Sequence, residues 1–195
     1  IGLVGNVSAT ADTRIQGFKD VITSQLAAYV INNNLASELG INTDKTPTPT
    51  TTENEEGTEG VETTPTPTET FTGNLEEAVN EKLQAKLSAQ FLEPDRVSNE
   101  DDAYAATQEL LNQGVQVLFA TNTYTTLGMC RAVKELEEAN PGTLEKLIVI
   151  GFNSDTQEVE YIRQGVLDGT VIQNPYNMGY ISVRYAMKAI NNEAI

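Results

Sequence analysis

Two short segments of the chain decide the fold: LIVIGFN at residues 147–153 and TVIQNP at residues 170–175. Each is an apolar run that ends in a polar amide, Asn153 or Gln173. A short helix is predicted between them at about residues 155–164, and another from about Asn177. Strand, helix, strand, helix in this order is typical of a parallel α/β sheet, in which ligands bind just beyond the carboxyl ends of the strands. The segments therefore indicate a small-molecule site and do not by themselves indicate catalysis.

The same alternation runs through most of the chain. Apolar and β-branched runs predict strands at residues 1–7, 87–92, 115–120, 147–150 and 170–172. Helical periodicity and capping signals predict helices at about 12–32, 74–86, 100–113, 125–139, 155–164 and 177–191. The predicted fold class is α/β, a doubly wound, Rossmann-like parallel sheet with helices on both faces. On the last helix, we expect Tyr180, Tyr185 and Met187 to pack inward, with one face of that helix available to another lobe.

The composition excludes several classes of function. The 195-residue chain has a formal charge of −16, which argues against nucleic-acid binding through this chain. It has no histidine, so it lacks the usual general base, a common metal ligand, and any Ser-His-Asp or Cys-His machinery. The single cysteine, Cys130, cannot form an internal disulfide. We therefore predict a protein that is not an enzyme and that needs no cofactor or metal.

A segment at about residues 43–73 interrupts the α/β pattern. It is rich in threonine, proline and glutamate, and its Thr-Pro pairs at 46–49 and 64–67 nearly repeat. Such a composition cannot bury enough apolar surface to offset the entropy of ordering. We interpret it as a disordered insertion that acts as a solvated tether. An O-glycosylated, mucin-like patch is the alternative, and it would require an extracytoplasmic setting.

Polar side chains follow four of the predicted strands, at the point where each strand ends. They are Asn6, Asn122, Asn153 and Gln173, and Arg14 lies near the start of the helix after the first strand. Because the carboxyl ends of parallel strands share one edge, these groups can converge there. Amides both donate and accept hydrogen bonds, and arginine presents a fork of donors, which suits polyhydroxylated ligands. Taken singly, each amide is more often a helix cap or a turn residue.

The order of these motifs resembles a known family, the periplasmic sugar-binding proteins of the ribose/galactose type. Their type I periplasmic binding protein fold is shared by the effector-binding core of lac-repressor-like transcription regulators. The similar segments, in chain order, are IGLVG at 1–5 with TRIQGF at 13–18, FATN at 119–122 with LG at 127–128, VIGFN at 149–153, and VIQNP at 171–175 with MG at 178–179. Each motif alone is weak, whereas four in order are specific.

The resemblance implies two lobes that close on a sugar about a hinge, with Arg14, Asn122, Asn153 and Gln173 at the positions of the family's sugar ligands. It implies that residues 1–174 form the C-terminal lobe, and that residues 175–195 are a hinge crossing and a helix of the N-terminal lobe. The family's first strands and helices would then precede Ile1, and its last strand would follow Ile195. Two residues depart from the family pattern, since Asn153 and Thr123 each stand where it has aspartate.

Three functions follow from these observations. The leading hypothesis is a solute-binding protein that captures a sugar-like ligand outside the cytoplasm for ABC import or chemosensing, with a transporter permease or a chemoreceptor as its membrane partner. The second is the effector-binding core of a lac-repressor-like regulator. An enzyme of the doubly wound class is the third, and the absence of histidine makes it the least favoured.

Overall fold

The computed structural model describes residues 1–41 and 73–194 of the chain. Its strands are β1 (Gly2–Val4), β2 (Val117–Ala120), β3 (Ile148–Phe152) and β4 (Gly169–Val171). Its α-helices are α1 (Ala9–Asn32), α2 (Leu75–Ser88), α3 (Glu100–Asn112), α4 (Thr123–Ala139), α5 (Thr156–Arg163) and α6 (Pro175–Ile190). Short 3-10 helices occupy Ala36–Leu39 and Leu144–Lys146. The predicted disordered insertion lies, apart from Gly73, outside the described residues.

The four strands form one parallel sheet in the order β1-β2-β3-β4. The register places Gly2 beside Leu118 and Leu118 beside Val149, and it places Phe152 of β3 beside Val171 of β4. Parallel pairing of sequence neighbours requires a helical crossover after each strand, as the alternation of the sequence predicts. The α/β fold class with a parallel sheet is confirmed.

The predicted strand at residues 87–92 is wrong. Helix α2 continues to Ser88, and the chain then turns before an extended stretch. That stretch forms two isolated parallel bridges, from Leu92 to Gly2 of β1 and from Val97 to Asn6 beyond the end of β1. The reason lies in the helical spacing of Leu83 and Leu87, which both contribute to the core beside α2. Four residues apart on a helix, such side chains share one face, and this packing outweighs the β-like appearance of the run.

One face of the sheet carries the main core. Val4, Leu118, Ala120 and Val149 point to this face and belong to a buried cluster that includes residues of α3 and α4. The two helices approach very closely, because a Cβ on Gly128 of α4 would lie 2.3 Å from a backbone oxygen of α3. This close approach depends on the missing side chain at that position.

The start of α1 lies on the opposite face. Side chains alternate along a strand, so Gly5 faces the same side as Leu3, away from the α3/α4 core. A Cβ on Gly5 would meet the Ile15 side chain of α1 at 2.9 Å, and Leu3 and Phe119 on this face are buried. Helical residues therefore pack on both faces of the sheet, with α3 and α4 on one face and the start of α1 on the other.

Residues 17–90 form a second compact unit, whereas residues 1–16 and 91–195 form the first. The second unit has its own small core, made of Ala27, Ala36, Ile41, Val79 and Leu83. Asn74 caps α2 by accepting a hydrogen bond from the backbone N–H of Glu76, and acidic residues occupy the first turn. This helix therefore begins with the signals that its sequence predicts.

Helix α6 buries none of its residues in the chain. Tyr180, Tyr185 and Met187 are 56 %, 46 % and 53 % exposed, so the expectation that they pack inward is wrong within this chain. Tyr176 and Tyr180 instead stack on each other, with ring centroids 6.3 Å apart.

No helix in the described part of the chain, α6 included, combines the length and apolarity needed to cross a membrane.

Candidate ligand-binding site

The carboxyl ends of the four strands bring together a set of polar and aromatic side chains that we call the strand-end cluster. Its members are Asn6, Arg14, Thr121, Asn122, Thr123, Phe152, Asn153 and Gln173. Each follows a strand directly, ends one, or lies in the first turns of the next helix, because every loop on this edge is short. The edge is the one on which parallel α/β sheets bind ligands.

Asn6 and Thr121 join the ends of β1 and β2. The Thr121 hydroxyl donates to Oδ1 of Asn6 at 2.9 Å and accepts from the backbone N–H of Asn6 at 3.1 Å. The Nδ2 group of Asn6 donates to the hydroxyl of Ser8 at 3.0 Å. Both groups of the Asn6 amide therefore have a partner within the protein, and these contacts hold the ends of β1 and β2 together.

Arg14 lies across the end of β2 and over the end of β3. Its Nη1 group donates to the backbone oxygen of Thr121 at 2.5 Å, and its guanidinium carbon lies 3.8 Å from the ring centroid of Phe152. The ring holds the guanidinium by a cation–π contact, and the remaining N–H groups are available as donors. No carboxylate of the described residues pairs with Arg14. The positive charge is therefore not neutralised within the described structure.

Asn122 is the N-cap of α4. Its Oδ1 accepts from the backbone N–H of Thr125 at 2.9 Å, and the Thr125 hydroxyl accepts from the backbone N–H of Asn122 at 2.9 Å, which completes a capping box. Helix capping is the more frequent role of a single asparagine at such a position. Here it occupies the side-chain oxygen of Asn122. The Nδ2 group has no acceptor among the described residues, so it remains available to a ligand.

Asn153 is the centre of a second set of contacts. Its Nδ2 group donates to the hydroxyl of Thr123 at 2.9 Å, and its Oδ1 accepts from Nε2 of Gln173 at 2.8 Å. The Thr170 hydroxyl donates to the backbone oxygen of Asn153 at 2.6 Å. Asn153 has φ 91°, in the region that asparagine tolerates better than most residues. Its conformation and its partners therefore link the ends of β3 and β4 to the start of α4.

A concavity of about 410 Å³ opens beside this pair. It is lined by Asn153, Ser154, Ile172, Gln173, Pro175 and Met178. This volume is within the range of about 300–1,000 Å³ that ligand sites occupy. Asn153 and Gln173 therefore line one concavity. Arg14 lies outside this lining and contacts Phe152, the residue before Asn153. Asn122 also lies outside it and precedes Thr123, whose hydroxyl accepts from Asn153.

Thr121 and Thr126 are the participants that the sequence did not single out. Thr126 is buried, accepts from the backbone N–H of Phe152 at 3.0 Å, and donates to the backbone oxygen of Asn122 at 2.8 Å. It therefore fixes the end of β3 against the start of α4. A threonine in the first turn of a helix is a weak signal, because such residues usually bond within their own turn.

The cluster is built for hydrogen bonding and not for proton transfer. None of its side chains is a carboxylate, a cysteine or a histidine, so the cluster lacks the usual groups of acid–base catalysis. Glu158, in the first turn of the helix after β3, is buried and accepts from the backbone N–H of Asp155 at 2.7 Å. Burial raises the pKa of the Glu158 carboxyl and also raises the pKa of the Cys130 thiol.

Residues 59–194 match the family described as the periplasmic binding protein domain. The match covers well over half of the chain, so the chain belongs to this family, as its resemblance to periplasmic sugar-binding proteins implied. It is a family of solute-binding proteins without catalytic activity, whose members typically act outside the cytoplasm. The prediction that the protein is not an enzyme is confirmed at the level of the family.

Two relatives illustrate the similarity. The chain is 30 % identical over 81 residues to the ribose import binding protein of Haemophilus influenzae. This alignment covers 42 % of this chain and 25 % of that protein. It is also similar to the solute-binding protein of an Agrobacterium vitis ABC transporter, solved with bound D-fucose. The two share 25 % identity with a TM-score of 0.46, and the superposition covers 62 % of this chain and 42 % of that one. The chain therefore spans less than half the length of either relative.

Proposed function

We propose that this chain provides one lobe of a solute-binding protein that captures a sugar or similar polar small molecule for ABC import or chemosensing. The observation that carries the proposal is the strand-end cluster. Arg14, Asn122, Asn153 and Gln173 lie on one edge of the sheet and offer amide and guanidinium groups for hydrogen bonding. Sugar hydroxyls donate and accept at the same time, so a mixed set of amide and guanidinium groups complements them.

In this proposal, residues 1–174 form the C-terminal lobe and residues 175–195 belong to a hinge and to the opposing lobe. The exposure of α6 supports this division. Tyr176, Val183 and Ile190 are 78 %, 66 % and 73 % exposed. A short helix is marginal in water unless its apolar side is packed, so α6 requires a surface to cover it. An opposing lobe of the same protein fits that requirement.

The residues would act in the following way. Arg14, held over the Phe152 ring, donates to ligand oxygens from one side of the edge. Gln173 and Asn153 approach the ligand from the other side, through the concavity that they line. Closure of the second lobe about the Gln173–Pro175 crossing then excludes water and changes the surface shown to a permease or a receptor. Such a protein works extracytoplasmically and needs no cofactor.

Isothermal titration calorimetry of the intact protein against a panel of neutral sugars tests the proposal. Arg14→Ala and Gln173→Ala should each weaken the binding of a sugar that the wild type binds by about 1–3 kcal/mol, because each removes hydrogen bonds to the ligand. Arg163→Ala and Gln113→Ala are matched controls, since these exposed side chains lie at the ends of α5 and α3, away from the strand-end cluster. They should leave affinity unchanged.

Two results would contradict the proposal. Wild-type affinity in both Arg14→Ala and Gln173→Ala would remove the site assignment while leaving sugar binding in place. Absence of heat with every sugar of the panel, and with the sugar acids used below, would reject sugar capture itself.

A further inference from the structure

The strand-end cluster has an uncompensated positive charge. Arg14 is its one charged member, and its contacts among the described residues are a backbone oxygen and an aromatic ring. The other members are amides, hydroxyls and one phenyl ring. A neutral ligand bound here would leave that charge without a counter-ion among the described residues of a partly enclosed site, which is unfavourable.

Four helices add to the positive character of this edge. Helices α1, α4, α5 and α6 all begin within five residues of the end of a strand, at Ala9, Thr123, Thr156 and Pro175. The amino end of a helix carries a partial positive charge from its aligned peptide dipoles. The electrostatic effects of Arg14 and of these helix starts therefore have the same sign and act on the same region.

The carboxylates nearest to this edge along the chain have other partners. Asp12 accepts from two nitrogens of Arg96, at 2.7 Å and 3.1 Å. Asp155 caps α5 by accepting from the backbone N–H of Gln157 at 2.9 Å, and Glu158 is buried beneath that cap. The net charge of −16 opposes an approaching anion at long range, but a Debye length of about 8 Å at physiological ionic strength screens most of this effect.

We propose that the ligand captured by the strand-end cluster is anionic, a sugar acid such as a uronate or an aldonate, with its carboxylate on Arg14. The inference rests on the proposed sugar-binding function and adds the charge class of the ligand. A carboxylate matches the fork of N–H groups that arginine presents, and charge-assisted hydrogen bonds are stronger than neutral ones. Asn122, Asn153 and Gln173 then contact the ligand hydroxyls, for which amides are suited.

A matched pair of ligands tests the charge class. D-Galacturonate and D-galactose share one ring and differ only at C6, where a carboxylate replaces a hydroxymethyl group, and D-glucuronate and D-glucose form a second pair. Calorimetry on the intact protein should show at least one uronate binding about tenfold or more tightly than its neutral partner. The affinity for that uronate should fall as salt rises, whereas the affinity for the neutral sugar should change little.

Three variants connect the preference to the site. Arg14→Gln removes the charge but keeps polar groups, and it should abolish the difference between uronate and neutral sugar. Asn153→Asp adds a negative charge where a carboxylate can still accept from Gln173, and the Thr123 hydroxyl, which accepts from Asn153 in the wild type, can rotate to donate to it. This variant should lower uronate affinity about tenfold or more. Asn112→Asp, on the exposed surface of α3, adds the same charge elsewhere and should leave the preference intact.

Equal or tighter binding of the neutral sugars by the wild type would overturn the charge class and leave the proposed sugar-binding function standing. A uronate preference that persists in Arg14→Gln would overturn the assignment of the carboxylate to Arg14. If no sugar and no sugar acid binds, the proposed function fails, and this inference fails with it.

Discussion

The hydroxyl of Thr126 connects the end of β3 to the start of α4, and Thr126→Val removes it at nearly constant volume. The hydroxyl accepts from the backbone N–H of Phe152 at 3.0 Å and donates to the backbone oxygen of Asn122 at 2.8 Å. Thr126 is fully buried, so water cannot replace these bonds without a structural opening. Asn153 follows Phe152 directly, which connects the substitution to the candidate site.

The two hydrogen bonds contribute unequally. The backbone oxygen of Asn122 also accepts from the backbone N–H of Thr126 at 2.9 Å, so it keeps a partner in the variant. The backbone N–H of Phe152 would lose its acceptor in a buried place, which costs about 1–3 kcal/mol. We therefore expect the free energy of unfolding to fall by about 2 kcal/mol. Ligand affinity should fall severalfold as the end of β3 shifts.

Urea denaturation of the intact protein, followed by circular dichroism, measures this loss as a lower midpoint at an unchanged slope. Thr107→Val is the matched control, because Thr107 is also fully buried but its hydroxyl only donates, to the Ala103 backbone oxygen at 2.7 Å. That carbonyl can keep its helical bond, so the control should change the free energy of unfolding by less than about 1 kcal/mol. Equal losses in both variants would refute the argument that the Phe152 N–H depends on Thr126.

Three further predictions, the first with a matched control substitution, give distinct outcomes. Gly128→Ala should lower the free energy of unfolding by about 1–3 kcal/mol or more, because its Cβ would lie 2.3 Å from the Glu100 backbone oxygen. Gly17→Ala is the control: it lies on a helix with open space around it, and it should raise the free energy of unfolding by up to about 1 kcal/mol. Similar shifts of the melting temperature in the two variants would contradict this. Asn122→Ala should lower it by about 1 kcal/mol through loss of the α4 cap, and it should also weaken ligand binding; unchanged melting would exclude the capping role. Glu158→Gln should stabilise the protein more at pH 8 than at pH 4.5, and equal effects at both pH values would be inconsistent with the raised pKa.

The sign for Glu158 follows from its buried position. Burial raises the pKa of its carboxyl above the ordinary value of 4.5, so the folded protein binds this proton more tightly than the unfolded chain does. The stability that this group contributes is therefore complete below pH 4.5 and is lost as the pH rises through the folded pKa. Glutamine cannot ionise, so the variant lacks that loss and can still accept from the Asp155 N–H.

Most elements were predictable from local pattern. The apolar runs at β1, β2 and β3 are continuous because a parallel strand packed on both of its faces is apolar on both, and this pattern is visible without any partner. Helix bounds were also close to the observed ones, since caps such as Asn74 and Asn99 mark helix starts. The strand predicted at 87–92 failed because a short apolar run does not distinguish a strand from the last turn of an amphipathic helix.

The sequence by itself determined the class of fold, the placement of polar amides after the strands, and the absence of a histidine-based mechanism, because these depend on composition and on spacing along the chain. Tertiary structure alone decided what each polar group does. Strand register and the closeness of the loops pair Asn153 with Gln173, twenty residues away, and place Arg14 over Phe152. Such contacts depend on which elements become neighbours, and local periodicity carries no information about that. Within residues 1–41 and 73–194, the same register leaves Arg14 without a carboxylate partner.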